Sequence, residues 1–316
     1  MSEELVATIA AVLEGDRHAI ARAITRVEND PAAAAAIIGG VHAAGGGALL
    51  VGVTGSPGVG KSSLVDRMTA AWRARGRRVA VLAVDPSSPF TGGAVLGDRV
   101  RMQNHAGDEG VFVRSMATRG KLGGLARATG DAAVVLDAAG FDVVVIETVG
   151  VGQAEVEISR AADVTAVVTM PGTGDGVQAI KAGVMEIADL FVVNKADLAG
   201  AGRAVTEIEA ALSLAELPPE AWRAPVLQTT ATRNEGVGEV LNTIDRFREH
   251  GDAGLTERRR ERAAARIRQI LADRVVAGVE ASGGIDRALD AITDGTLDPY
   301  AASETLLRDR SHREGG

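Results

Sequence analysis

Residues 55–62, Gly-Ser-Pro-Gly-Val-Gly-Lys-Ser, match the pattern of a phosphate-binding loop, Gly-x-x-x-x-Gly-Lys-Ser/Thr. The apolar run 49–54 precedes them, and a helical pattern containing Leu64, Val65 and Met68 follows. A loop of this kind joins a strand to the N-terminus of a helix, because backbone N–H groups and the helix end bind the phosphate together. The chain is therefore expected to fold around a sheet that has residues 49–54 as one of its strands.

The loop predicts a set of contacts with a nucleoside triphosphate. Lys61 is expected to bridge the β- and γ-phosphates and to be catalytic, and the Ser62 hydroxyl is expected to ligate Mg²⁺. The remaining predicted nucleotide-binding residues of the loop are Gly55, Pro57, Gly58, Val59, Gly60 and Ser63.

Between residues 48 and 250, apolar β-branched segments alternate with helical patterns. Most of these segments are apolar on both faces, which is typical of parallel strands that are covered by helices on each side. The alternation predicts an α/β fold with a doubly wound, mostly parallel sheet. The predicted strands are residues 49–54, 79–84, 111–114, 142–147, 164–169, 190–194 and 225–229.

A second motif, Asn-Lys-Ala-Asp at residues 194–197, lies at the end of one predicted strand. The Asp197 carboxylate can accept hydrogen bonds from N1–H and the exocyclic amine of guanine, whereas adenine has no such pair of donors. Asn194 is expected to brace the loop, and the stem of Lys195 to lie along the purine. The motif therefore predicts GTP rather than ATP as the ligand. A backbone N–H to the guanine oxygen is expected from one of three residues after the next strand: Thr230, Ala231 and Thr232.

The segment 143–150, Val-Val-Val-Ile-Glu-Thr-Val-Gly, predicts a strand that ends in an acidic residue. In P-loop enzymes an acid at this place contacts Mg²⁺, so Glu147 is a predicted metal ligand. Gly150 can sense the γ-phosphate and order the following loop. Val151 stands where Ras-type enzymes carry the glutamine that orients the attacking water, and Gln153 is a candidate for that catalytic role. Hydrolysis by the isolated protein is therefore expected to be slow.

Composition excludes several classes of function. The chain has no cysteine, which excludes disulfide scaffolds, thiolate nucleophiles and Cys-ligated zinc. Acidic residues number 42 against 34 Lys and Arg, and the net charge of −8 argues against binding to nucleic acid. The N-terminus lacks the pattern of a signal peptide, and no apolar run approaches the roughly 20 residues of a membrane-spanning helix. We expect a cytoplasmic protein without membrane contact.

Helical patterns flank the predicted sheet. In the Ala-rich N-terminal part, Leu5, Ile9 and Val12 recur at helical spacing. An apolar stripe runs through the Arg-rich segment 255–274, which we interpret as a solvated helix face over an oligomer seam. A surface for an acidic partner or for nucleic acid is the alternative. We expect three parts: an N-terminal helical extension at 1–47, a P-loop GTPase domain at 48–250 and a C-terminal helical arm at 251–316.

These motifs and the sequence between them resemble the MeaB family of G proteins over nearly the whole chain. The family includes the human methylmalonic aciduria type A protein, and bacterial members are often labelled ArgK or LAO/AO transport ATPase. Residues 19–25 look like the N-terminal helix of the family, and residues 298–300 resemble its C-terminal arm. The most specific stretches are residues 54–63, 83–88, 96–102, 147–153 and 171–181.

Members of this family are GTPases that act as chaperones for adenosylcobalamin-dependent acyl-CoA mutases, chiefly methylmalonyl-CoA mutase. They gate delivery of the cofactor, protect the mutase from inactivation and form homodimers through their C-terminal helices. The resemblance therefore implies that this chain converts GTP to GDP with Mg²⁺. It also implies two partners, such a mutase and a second copy of the chain.

The resemblance further implies roles for charged residues outside the first motifs. Asp85 and Asp98 match the metal-binding and switch I region, although an Asp before Pro86 is also a common turn residue. Residues 171–181 match an additional loop, switch III, that couples the nucleotide state to the mutase. Asp175 and Lys181 are its charged positions, and Lys181 is also a candidate catalytic residue.

Two other functions are alternatives. The older ArgK label proposes a nucleotide-dependent kinase, which needs an acceptor site and phosphate-facing arginines. A nickel-insertion G protein would share the architecture, but it needs Cys and His residues at metal-binding spacing. The five histidines of this chain are scattered and cysteine is missing, which disfavours metal insertion. The arginines available to a kinase are Arg99, Arg101, Arg114 and Arg119.

Overall fold

The computed structural model of the protein describes residues 2–85, 105, 107–117, 124–148, 158–172, 184–214, 218 and 221–314. The chain divides into two compact units, Met1–Arg259 and Arg260–Gly316. The finer division that we predict, into residues 1–47, 48–250 and 251–316, stays a prediction.

In the described part of the first unit, seven strands form one sheet in which every neighbouring pair is parallel. The strands are β1 (Leu49–Thr54), β2 (Val79–Asp85), β3 (Val111–Ala117), β4 (Val143–Thr148), β5 (Val164–Thr169), β6 (Leu190–Val193) and β7 (Val226–Gln228). Their order in the sheet is β3-β2-β4-β1-β5-β6-β7. The first strand, β1, is therefore at the centre of the sheet, with β2 to β4 on one side of it and β5 to β7 on the other. This arrangement confirms the predicted doubly wound α/β fold.

Helices connect these strands and precede the first of them. In the first unit the described helices are α1 (Glu3–Leu13), α2 (Arg17–Asn29), α3 (Pro31–Val41), α4 (Lys61–Ala74), α5 (Gly124–Ala138), α6 (Val184–Ile187), α7 (Ala201–Leu212) and α8 (Val237–His250). Asp16 caps α2 by accepting the Ala19 N–H at 2.6 Å. Asp30 caps α3, which has Pro31 in its first turn.

Both faces of the sheet are covered. On one face, Leu82 and Ile146 pack in a buried cluster with the N-terminal helices, which contribute residues such as Ile20 and Ile24. The other face packs under α4 and α8, and a smaller cluster around Phe191 lies beneath α7. The apolar stripe of the N-terminal helices therefore completes one layer of the α/β core.

The helix α9 (Asp252–Ala281) contains the Arg-rich segment, and two of its arginines bind buried carboxylates of the first unit. Arg258 makes two bonds of 2.8 Å to Asp189, at the start of β6. Arg259 donates at 3.2 and 3.0 Å to Asp163, at the start of β5. At these two positions the helix face is about two-fifths exposed and also neutralises two buried acids, which the interpretation as a solvated face does not include.

The second unit holds the rest of α9 and two further helices, α10 (Gly284–Thr293) and α11 (Pro299–Glu314). Val279 and Ala302 are buried, whereas Ile267, Leu271 and Leu289 are each more than half exposed. In the described part of the chain, none of the helices has the length and apolarity needed to cross a membrane.

Candidate nucleotide-binding site

The phosphate-binding loop connects β1 to α4, as its sequence predicts. Gly55 and Gly60 have φ angles of +139° and +94°, which other residues adopt only with strain. A Cβ on Gly55 would lie 2.0 Å from the Val168 carbonyl oxygen, and one on Gly60 would lie 2.4 Å from Asn194 Nδ2. The loop is therefore pressed against the ends of β5 and β6, so packing alone requires glycine at these two positions.

The two polar side chains that open α4 are almost fully buried. Lys61 Nζ donates to the carbonyl oxygens of Gly55 and Ser56 at 2.7 and 3.0 Å, which holds the ammonium over the loop. Ser62 Oγ donates to Glu147 Oε1 at 2.6 Å. Because Val53 of β1 pairs with Glu147 of β4, the sheet register itself brings that carboxylate to the start of α4.

The Ser62 and Glu147 side chains fit a Mg²⁺ site. A hydroxyl and a carboxylate are the hard oxygen ligands that Mg²⁺ prefers, and the ion takes its remaining ligands from phosphate and water. Within the described ranges, no three His, Cys, Asp or Glu side chains come together as a protein-only metal cage. The donor set therefore suits an ion that is shared with a bound nucleotide.

Asn194 joins the phosphate-binding loop to the predicted guanine-binding loop. It directly follows β6 and is 2% exposed. Its Nδ2 donates to the Val59 carbonyl oxygen at 2.9 Å. Its Oδ1 accepts the Thr229 hydroxyl at 3.0 Å and the Ala231 N–H at 3.1 Å. One amide side chain thus holds two segments, the phosphate loop at Val59 and residues 229–231, and no sequence motif marks Thr229 as a participant.

Lys195 and Asp197 lie beside this bridge. Lys195 adopts a left-handed φ of +56°, and its Nζ donates to the Gly58 carbonyl oxygen at 2.8 Å. Its stem therefore extends from the guanine loop to the phosphate loop. The Asp197 carboxylate lies 3.5 Å from a guanidinium nitrogen of Arg233, a second residue that no sequence motif marks. An arginine in a loop has no distinctive local pattern, so no sequence signal identified it.

The three predicted donors after β7 are in different situations. The Thr230 N–H donates to the Glu235 carbonyl oxygen at 3.1 Å, and the Ala231 N–H donates to Asn194 Oδ1. Thr232 lies inside the short 3-10 helix Ala231–Arg233, where first-turn N–H groups have no acceptor within the helix. A guanine oxygen can therefore bind Thr232 directly or share the Ala231 N–H with Asn194.

The other predicted residues fall at or beyond the limits of the described structure. The backbone of Asp85 ends β2 and pairs with Ala117, but its side chain is not among those described. Five further residues with predicted roles in metal binding, catalysis or switching lie outside the described residues. They are Asp98, Gly150, Gln153, Asp175 and Lys181.

Two polar pairs fix α4 to the segment before β3. His105 Nε2 lies 3.1 Å from Asp66 Oδ1. Arg73 makes bonds of 2.8 and 2.9 Å to the two Asp108 oxygens. The hydrogen bond from Arg73, and then that from the Gly110 N–H, lower the pKa of Asp108. The same bond raises the pKa of Arg73 above its ordinary value. The helix that carries Lys61 and Ser62 is therefore anchored along its length.

Comparison with known proteins shows the family that the chain resembles. A family model described as "Methylmalonyl Co-A mutase-associated GTPase MeaB" matches residues 20–283. A Pyrococcus abyssi protein with a provisional GTPase name is 49% identical over 303 residues, which cover 94% of each chain. The Caenorhabditis elegans protein named methylmalonic aciduria type A homolog, mitochondrial, is 36% identical over 268 residues, covering 82% of this chain and 67% of that protein.

The fold has a matching crystal structure over its full length. A solved structure of a LAO/AO transport system kinase is similar with a TM-score of 0.72 and 28% sequence identity. The match covers 98% of this chain and 99% of that chain. The similarity therefore includes both compact units of the chain.

Proposed function

The chain belongs to the MeaB family of GTPases, and we propose that it acts as a G-protein chaperone for an adenosylcobalamin-dependent acyl-CoA mutase. Methylmalonyl-CoA mutase is the proposed client, because the family description names that enzyme and one relative is named for methylmalonic aciduria. The chaperone gates loading of the cofactor and protects the mutase. Its own reaction is the conversion of GTP and water to GDP and phosphate.

The Asn194 bridge is the observation that carries the GTPase part of the proposal. It joins the loop that suits a phosphate chain to the loop that suits a guanine base, so one nucleotide can occupy both. In the proposed complex Lys61 binds the β- and γ-phosphates, and Asp197 accepts the guanine N–H groups. Ser62 and Glu147 hold Mg²⁺, together with Asp85 and Asp98.

The chemistry of hydrolysis is mainly charge stabilisation. Mg²⁺, when bound, neutralises negative charge on the phosphate oxygens. The buried Lys61 ammonium already lies over the loop, and it exchanges bonds to the Gly55 and Ser56 carbonyl oxygens for phosphate oxygens when the nucleotide binds. Gln153 and Lys181 are the proposed catalytic residues that complete the site. Val151, in place of a water-orienting glutamine, makes the reaction slow until a partner binds.

Nucleotide state is proposed to reach the mutase through ordered loops. Gly150 senses the γ-phosphate, and Asp175 and Lys181 form the charged part of switch III. Homodimerisation through the C-terminal arm is supported by the exposed Ile267 and Leu271 on α9. A cytoplasmic site of action accompanies this proposal.

The test is to measure phosphate release from GTP with and without purified adenosylcobalamin-dependent methylmalonyl-CoA mutase. The chain alone should turn over slowly, and the mutase should accelerate it and co-elute with the GTP-loaded chain. Lys61→Ala should abolish hydrolysis in both conditions, which controls for contaminating GTPases. Intrinsic hydrolysis without complex formation or acceleration would overturn the chaperone role and leave the GTPase intact.

A nucleotide-dependent kinase is the competing function, since the solved relative is named as a kinase. The two activities differ in the phosphate acceptor. With water as the sole acceptor, a GTPase releases one phosphate for every GDP formed. Stoichiometric transfer of the γ-phosphate to arginine or to a protein would favour the kinase instead.

A further inference from the structure

We propose that Arg233 determines specificity for guanine by positioning the Asp197 carboxylate toward the two donors on the base. The nearest guanidinium nitrogen lies 3.5 Å from Asp197 Oδ2. The proposal rests on the guanine-binding role proposed for Asp197, and it adds a second residue to that recognition. Arg233 acts through Asp197 and is a positioning residue.

The loop that carries Arg233 is closed by its own backbone. Thr230 and Glu235 exchange two N–H to carbonyl bonds, of 3.1 and 3.3 Å. The Arg233 N–H donates to the Thr230 carbonyl oxygen at 2.9 Å. Asn234 then turns the chain with a left-handed φ of +59°. Because both ends of the loop are hydrogen-bonded to each other, the Cα of Arg233 has a defined position relative to the end of β7.

The backbone around Asp197 is equally well defined. The Ala196 N–H donates to the Thr229 carbonyl oxygen at 3.0 Å, and the Leu198 N–H donates to the Lys195 carbonyl oxygen at 3.0 Å. The remaining freedom of Asp197 is rotation of its side chain, and the carboxylate torsion of aspartate is broad. A cation beside Oδ2 selects one orientation of that carboxylate. Arg233 therefore supplies the restraint that the backbone bonds do not.

The chemistry permits Arg233 and guanine to bind the same carboxylate. Guanine presents N1–H and the exocyclic amine side by side, so the carboxylate must lie in the plane of the base to accept both. Each carboxylate oxygen has two lone pairs, and Oδ2 can accept from the amine and from Arg233 together. Arginine donates only, in a rigid fork, and cannot compete with the oxygens as an acceptor.

The effect should fall on discrimination between bases more than on overall affinity. Arg233 and Asp197 side chains are 60% and 30% exposed, so the ion pair itself changes affinity by less than about fivefold. Orientation of the carboxylate decides whether the second hydrogen bond, to the exocyclic amine, forms at all. Inosine has N1–H but lacks that amine, so the affinity ratio of GDP to IDP reports this bond.

The experiment measures Kd for GDP and IDP by competition with a fluorescent GDP analogue, on the full chain. The wild type should prefer GDP by roughly 10- to 100-fold, the range for one hydrogen bond to a charged group. Arg233→Leu should reduce that ratio by roughly threefold, and by no more than about fivefold, through weaker GDP binding, with IDP within about twofold. Arg233→Lys should recover part of the ratio, since the charge remains and the fork is lost.

Matched variants separate this mechanism from others. Arg246→Leu breaks a comparably exposed pair with Glu239, 2.7 Å apart on α8, and should leave the ratio unchanged. Thermal unfolding of each variant checks that the fold persists. The proposal is overturned if Arg233→Leu raises the Kd for GDP and for IDP by the same factor, or if it changes neither Kd. In the first case Arg233 acts on the phosphates or on loop stability.

Asp197→Asn distinguishes failure of this inference from failure of the proposed site. It should collapse the GDP-to-IDP ratio, because an amide cannot accept both base donors. If it does so and Arg233→Leu does not, only the role of Arg233 is wrong. If Asp197→Asn also keeps the wild-type ratio, the guanine-binding role of Asp197 is wrong as well.

Discussion

Replacing Asn194 with alanine should uncouple the phosphate loop from the guanine loop. The substitution removes three hydrogen bonds of 3.1 Å or less at once: to the Val59 carbonyl oxygen, from the Thr229 hydroxyl and from the Ala231 N–H. All three partner residues are at most 3% exposed, so water has little access to replace the missing amide. Both loops then lose the restraint that holds them in the geometry a nucleotide needs.

The loss can be estimated from these three contacts. A buried polar group that loses its partner costs about 1–3 kcal/mol. Three groups therefore cost about 3 kcal/mol or more in the free protein. Where the free loops relax to avoid that cost, nucleotide binding must restore their geometry, so Kd rises by as much as roughly 100-fold. Thr229→Val removes one of the three bonds and leaves Asn194 bound to Val59 and Ala231. It should cost about 1 kcal/mol, or roughly fivefold in Kd.

The assay is equilibrium binding of a fluorescent GDP analogue to the wild type and to the two variants, with thermal unfolding of each. Asn194→Ala should bind at least an order of magnitude more weakly than Thr229→Val. If the two variants bind within threefold of each other, Asn194 contributes a single bond, and its role in joining the two loops is contradicted.

Two further predictions concern stability, measured as the free energy of unfolding in urea. Because Asp108 has a lowered pKa, its bond to Arg73 stabilises the fold above the ordinary pKa of 3.8 and is lost as the pH falls through the lower folded value. Asp108→Asn should therefore lower the free energy of unfolding at neutral pH, and the difference from the wild type should shrink in strong acid. A difference that stays constant with pH would contradict this prediction. Arg259→Leu removes a bidentate partner from the fully buried Asp163 and should lower the free energy of unfolding by about 2 kcal/mol. This is less than the roughly 3–5 kcal/mol lost when a fully buried ion pair is broken, because Arg259 is 41% exposed. As a control, Arg308→Leu breaks the exposed pair with Glu304 and should change the free energy of unfolding by less than about 0.5 kcal/mol. If Arg259→Leu and Arg308→Leu have equal effects, burial of Asp163 does not determine the strength of its ion pair.

Local patterns predicted the strands and both nucleotide motifs because those signals are contained in a few neighbouring residues. Strand ends were less predictable. The apolar run of β3 is interrupted at Arg114, but pairing with β2 continues through Ser115 to Ala117. Conversely, β6 ends at Val193, one residue before its predicted end, and the chain then turns at Lys195 with a left-handed φ of +56°. For β3, pairing with a neighbouring strand overrides the local pattern.

Contacts between residues that are far apart in the chain could not be predicted from the sequence. Arg233 and Asp197 are 36 positions apart, and Arg259 and Asp163 are 96 apart. Neither pair has a spacing that distinguishes it from other charged residues, so only the fold brings its members together. The N-terminal helices are similar: their apolar stripe predicts burial, but it does not identify α5 and the sheet as the surface that buries it.

The strand order explains why phosphate and base recognition depend on each other. In the sheet β1 and β6 are separated by β5, so their ends lie about 10 Å apart, two strand spacings. All three strands are parallel, and their carboxyl ends share one edge. Gly55 passes over the end of β5 without a side chain, and Asn194 and Lys195 then reach the phosphate loop from β6. Because the two loops touch directly, a substitution in either one changes the position of the other. Mutations of Asn194 should therefore weaken nucleotides with any base, whereas those of Arg233 should act on guanine alone.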